Sequence, residues 1–144
     1  MDLDSNSVPK DLLPEVFEFT LQQSVLRRLD VKWLTELQVL ESDYGNVAIH
    51  TKVSTDRWHA FWEALNHLNV WNWQPDYHNS IVLDNHATVW SLKIKYQGKL
   101  LESGGFNAFP SENIPDLEPD EQFEFFVFAV NMLAGTDHLT SGNE

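Results

Sequence analysis

From Ala87 to Tyr96 the chain alternates strictly. Thr88, Trp90, Leu92, Ile94 and Tyr96 fall on one side, and Ala87, Val89, Ser91, Lys93 and Lys95 on the other. A period of two is that of a β-strand with one buried and one wet face, whereas a helix would scatter the same apolar positions around its circumference. Gln97-Gly98 then offers a tight reversal, and Lys99–Phe106 returns, so the run predicts a β-hairpin. Ahead of it, Ile81-Val82-Leu83 reads as a short strand reversed at Asp84-Asn85, which makes a three-strand meander. Any fold for this chain has to supply a layer that covers Trp90, Leu92 and Ile94.

The rest of the chain supplies that layer. Phe17, Phe19 and Leu21 alternate with Glu18, Thr20 and Gln22, predicting a strand over Val16–Gln23. Ser24–Trp33 is mixed, equally compatible with a helical turn and with extended chain. Thr35–Ser42 and Val47–Val53 flank Asp43-Tyr44-Gly45-Asn46 and read as a second hairpin. Ser54 or Thr55 can cap a helix running to Asn69, with Trp58, Phe61, Trp62, Leu65 and Leu68 at helical spacing. A second helix is expected over Asp120–Ala134 and closed by Gly135. Phe123, Phe126, Val127, Val130 and Leu133 or Ala134 form its main stripe, and Phe125, Phe128 and Met132 a flanking one. So wide an apolar arc implies burial on more than one side, against the sheet and a second helix or a partner chain. The expected fold is therefore α+β, an antiparallel sheet of about five to six strands (hairpin plus meander) with two α-helices packed on one face. Residues 1–14 read as a flexible tail, 15–135 as a single domain and 136–144 as a second tail.

Composition narrows the functions such a domain can serve. The 144 residues carry a net charge of −13, and residues 111–144 hold −8 of it with no Lys or Arg. A field of that sign repels phosphate backbones and speeds the docking of a basic protein, so no nucleic-acid partner is expected. There is no cysteine, which removes disulfides and thiolate chemistry and fits the cytosol. The N-terminus has neither the positive start nor the apolar run of a signal peptide, and no window has the length of a membrane span, so a cytoplasmic location without membrane contact is expected.

No motif fixes a chemistry. His59 and His67 stand eight apart on the first predicted helix, too far to share an ion unaided. Asp84 and His86, with His78 nearby, form the one local cluster with alternate spacing, and solvated turn residues account for it. Asp116, Glu118, Asp120, Glu121 and Glu124 are dense, but they lie where negative charge favours a helix start. Asp137 and His138 have no serine in a nucleophile-elbow context. Gly104-Gly105 is not a phosphate loop, because Phe106-Asn107-Ala108-Phe109-Pro110 follows it instead of a helix. The glycines are expected to make a bulge that re-aims Phe106 and Phe109, or to leave room for a ligand or another chain. Neither a cofactor nor a metal is expected, and no catalytic residue is assigned.

The run from Tyr77 to Pro110 resembles a set of small bacterial α+β domains. Their pattern is a strand ending in Asp-Gly, a Trp, an alternating strand, a turn, and Gly-x-Asn-x-Tyr-Pro before a C-terminal helix. Here Asp84-Asn85, Trp90 and Gly105-Phe106-Asn107-Ala108-Phe109-Pro110 take those places, with Asn85 for Gly and Phe109 for Tyr. Some similar proteins are immunity or toxin-associated partners. The resemblance implies an interaction role at most, and no catalytic residue is carried over from it.

These readings converge on a non-enzymatic domain that binds another protein, an immunity- or inhibitor-like acidic partner of a basic surface. The candidate contact residues are Trp71, Trp73, Tyr77, Glu118, Glu121 and Glu124, since Trp and Tyr supply contact energy and carboxylates steer. Homo-oligomerisation through the C-terminal helix is compatible with this. The alternative is a small-ligand-binding protein or hydrolytic enzyme with a pocket near His78, Asp84, His86 and Asn107.

Overall fold

A computed structural model describes residues 8–24, 27–44, 47–78, 88–110 and 121–135. Among the described residues seven strands form one sheet: β1 (Val16–Ser24), β2 (Arg27–Leu34), β3 (Val39–Tyr44), β4 (Val47–Thr51), β5 (Asp76–His78), β6 (Val89–Tyr96) and β7 (Lys99–Phe106), in the spatial order β4-β3-β2-β1-β6-β7-β5. Two helices accompany them, α1 (Thr55–Leu68) and α2 (Gln122–Ala134). Every pairing is antiparallel except that of β5 with β7, which is parallel. The fold is the expected α+β arrangement, with one or two more strands than expected. The Ile81-Val82-Leu83 strand, the Asp84-Asn85 reversal and the 136–144 tail lie outside the described residues.

The core confirms the alternation. Trp90, Leu92, Ile94 and Tyr96 are buried, and Val89, Ser91, Lys93 and Lys95 face out. The β6–β7 turn has φ 52° at Gln97 and 78° at Gly98. Positive φ at both central residues suits the twist of the strands a two-residue turn joins. Both helices lie on the same face. Phe17 of β1 meets Phe61 of α1 edge-on at 5.5 Å, Trp33 of β2 meets Trp58 at 5.5 Å, and Phe19 of β1 meets Phe126 of α2 at 5.1 Å. Trp62 of α1 stacks on Tyr96 at 3.7 Å. Burial, reinforced by the nearby Asp11 carboxylate, holds the Tyr96 phenol above its ordinary pKa.

Three local features differ from the expectation. The mixed stretch is β2, with Leu29, Val31 and Trp33 buried. In the sequence Leu26 precedes that set out of phase, and the β1–β2 register shifts between Gln22 and Ser24, so a single period could not be read across the junction. The strand expected from Thr35 begins only at Val39, because Thr35–Gln38 is a turn with φ 57° at Gln38, leaving Leu37 60% exposed. Within residues 1–14, Lys10–Leu12 form a 3-10 turn, Leu12 is buried, and its carbonyl accepts the Trp62 indole N–H at 2.8 Å.

Gly104-Gly105 makes no bulge. The β6–β7 register runs unbroken from Val89 opposite Phe106 to Tyr96 opposite Lys99. A Cβ on Gly105 would stand 2.3 Å from both Trp90 Nε1 and the Ala108 carbonyl oxygen, which are themselves hydrogen-bonded at 3.0 Å. The space is filled by this chain's own indole, with β5 alongside, placing Asp76 opposite Gly104 and Tyr77 opposite Gly105. Asn107, at φ 54°, exchanges two hydrogen bonds with Thr88: its Oδ1 accepts the Thr88 N–H and its own N–H donates to the Thr88 carbonyl, each at 2.8 Å. The Gly-x-Asn-x-Phe-Pro run is thus a structural lock on the start of β6.

The outer face of the sheet carries a ladder of polar side chains whose charge alternates from Glu41 to Glu102. His50, Glu41, Lys32, Glu18, Lys93 and Glu102 lie opposite one another across β4, β3, β2, β1, β6 and β7. Within it His50 meets Glu41 at 3.0 Å, Lys32 meets Glu41 at 3.9 Å and Lys93 meets Glu102 at 3.6 Å. Each exposed pair adds only about 0–1 kcal/mol, but a register error would set like charges opposite one another.

Candidate functional site

A concavity lies on the far side of the helical layer. Ser54 caps α1 by accepting the Arg57 N–H at 3.2 Å, which fixes Asp56 and Arg57 in its first turn. Arg57 lies against Gly135 at the C-terminal end of α2, so that a Cβ added to Gly135 would come within 3.0 Å of the guanidinium. At the opposite end, the His67 ring meets Phe125 edge-on at 6.1 Å. The start of one helix therefore adjoins the end of the other, and α1 and α2 run antiparallel.

Between them lies a groove of about 700 Å³. Ala60 and Ala64 of α1 and Ala129 of α2 line it together with Phe125, Phe128 and Met132, while Asp56 and Arg57 border the end nearest Gly135. Phe128 and Met132 remain 54% and 57% exposed. They follow Glu124 at intervals of four, so the outward face of α2 runs from a carboxylate at its first turn to two large apolar side chains. No hydrogen bond or ion pair to the Arg57 guanidinium or the Glu124 carboxylate is found among the described residues.

The sequence-derived contact residues divide. Trp73 is 4% exposed, within 5.5 Å of Phe126 and 6.0 Å of Trp90, and Tyr77 is 9% exposed and stacked on Trp90 at 6.0 Å. Both belong to the core, because the parallel β5 and the 3-10 turn at Val70–Asn72 fold the exit of α1 down onto β7. Trp71 is half-buried; Lys99 lies over its ring at 5.2 Å and its indole N–H donates to Asn66 at 3.2 Å. Glu121 and Glu124 are exposed at the start of α2. Glu118 lies outside the described residues.

For the alternative pocket, the His78 side chain, Asp84 and His86 also lie outside the described residues. Asn107 uses its side chain on the Thr88 backbone. His59 and His67 are exposed, and no group of three or more His, Asp or Glu side chains able to hold a metal occurs among the described residues. The flanking stripe Phe125, Phe128 and Met132 was legible in sequence as apolar surface to be covered by a second helix or a partner chain; α1 takes Phe125 against His67, and Phe128 and Met132 stay exposed. The alanines opposite it were missed, although Ala60 and Ala64 beside the α1 core stripe are the small pair that keeps a groove open. No helix among the described residues is long and apolar enough to cross a membrane. No family model matches the chain, and no curated protein matches it significantly in sequence.

Proposed function

We propose that this chain is a non-enzymatic protein-binding domain, an acidic partner of the immunity or inhibitor kind, and that its helical layer is the contact face. The observation that carries the reading is the pair Phe128 and Met132, more than half exposed beside an apolar groove. A small ligand in the groove would leave the outer sides of these two side chains in water, whereas a protein surface would cover them and the groove together. The net charge of −13 adds long-range attraction for a basic partner.

The test is capture from native lysate on immobilised protein, comparing the wild type with Phe128→Lys and with Glu121→Gln/Glu124→Gln. A stoichiometric basic partner is expected on the wild type, lost with Phe128→Lys, and captured more slowly and with a flatter salt dependence by the glutamine variant. Recovery of no stoichiometric partner at low salt would sink the proposal.

A further inference from the structure

The helical face carries both a projection and a recess. A surface that pairs with its own copy about a two-fold axis must present both a projection and a recess, and charges that change sign on rotation. Phe128 and Met132 form the projection, and the groove lined by Ala60, Ala64 and Ala129 lies beside them. Arg57 stands near one end of α2, at Gly135, and Glu124 near the other.

We infer that two copies of this chain pair through this face, their α2 helices antiparallel, with Phe128 and Met132 of each seated in the groove of the other and Arg57 of each facing Glu124 of the second copy. The inference rests on reading the helical layer as an interaction surface, and makes a second copy of the chain an occupant that competes with a foreign basic protein for it. With the axis at Phe128, Glu124 of the second copy comes level with Met132. It then lies about 4–5 Å along the axis from Gly135, within one turn and within reach of a guanidinium on a flexible stem. Each dimer gains two such pairs by symmetry, at side chains that lack a described partner in the single copy. The small floor residues let a phenyl ring and a thioether enter as knobs enter holes between helices.

Two copies of charge −13 repel, so the dimer is favoured at moderate salt, where screening is effective beyond about 8 Å. Capture of a foreign basic protein has the reverse salt dependence.

Sedimentation equilibrium of the purified full chain, across protein concentration at moderate salt, tests the inference. A mass rising from one copy to two is expected. Arg57→Glu or Glu124→Arg alone should weaken the association about tenfold, and the double variant should restore it to within about threefold, because two exposed ion pairs are exchanged for two reversed ones. Phe128→Lys, whose native side chain is already half in water, should give a folded monomer by circular dichroism. A single-copy mass at every concentration overturns the inference, even if a basic partner is captured from lysate. So does a dimer indifferent to Phe128→Lys, or one that the double charge exchange fails to rescue. A dimer with the expected charge rescue that captures no foreign protein supports the inference and removes the basic partner instead.

Discussion

At the scale of single residues, Gly105 shows how a position that looks functional can be structural. Two adjacent glycines in a strand weaken it, and the sequence offered a bulge or a ligand as the reason. The reason is Trp90: its indole lies where any Cβ on Gly105 would go and donates to the Ala108 carbonyl across that space. Gly105→Ala should therefore destabilise the domain by about 3 kcal/mol, as overpacking of a rigid ring against backbone does, measured as a lower urea midpoint. Gly104→Ala, whose Cβ would meet the Trp90 carbonyl at 3.0 Å, should cost less. The need for glycine here could not be read from the chain, because it depends on which ring crosses from the neighbouring strand.

At the scale of elements, what was legible followed the clarity of the period. The eight residues of β6 and the Trp58, Phe61, Trp62, Leu65, Leu68 stripe of α1 lie as their spacing dictates. The β1–β2 junction was not legible, because Leu26 breaks the alternation of Leu29, Val31 and Trp33 in the sequence and the register shifts between Gln22 and Ser24. The same holds for β5, three residues paired parallel to β7, which gives too short a pattern to read and pulls Trp73 and Tyr77 inward. The charge ladder was hidden for a different reason: its members lie on six strands, and only the register brings them into line. It carries a prediction at this scale. Glu18 sits opposite both Lys32 and Lys93, so Glu18→Lys would place three ammonium groups side by side on β2, β1 and β6. It should lower stability by about 1 kcal/mol at low ionic strength, with much of the loss recovered in high salt, as thermal denaturation at two salt concentrations would show.

At the scale of the whole molecule, the two faces of the domain have opposite characters. The sheet's outer face balances its own charge, whereas the helices' outer face leaves an apolar groove, Phe128, Met132, Arg57 and Glu124 without described partners. The half of the candidate site on α2 was legible in its over-wide apolar arc; the half on α1 was not, because alanines carry no signal until a second helix is placed across from them. If the helical face is where this protein meets another, its chemistry can be watched at one atom. The chain has two methionines, Met1 and Met132, so selective labelling of methionine methyl groups yields two resonances. As protein concentration rises at moderate salt, or as a captured partner is added, the Met132 methyl should shift and broaden while that of Met1 stays in place. Association that leaves the Met132 methyl unmoved would contradict the assignment of this face.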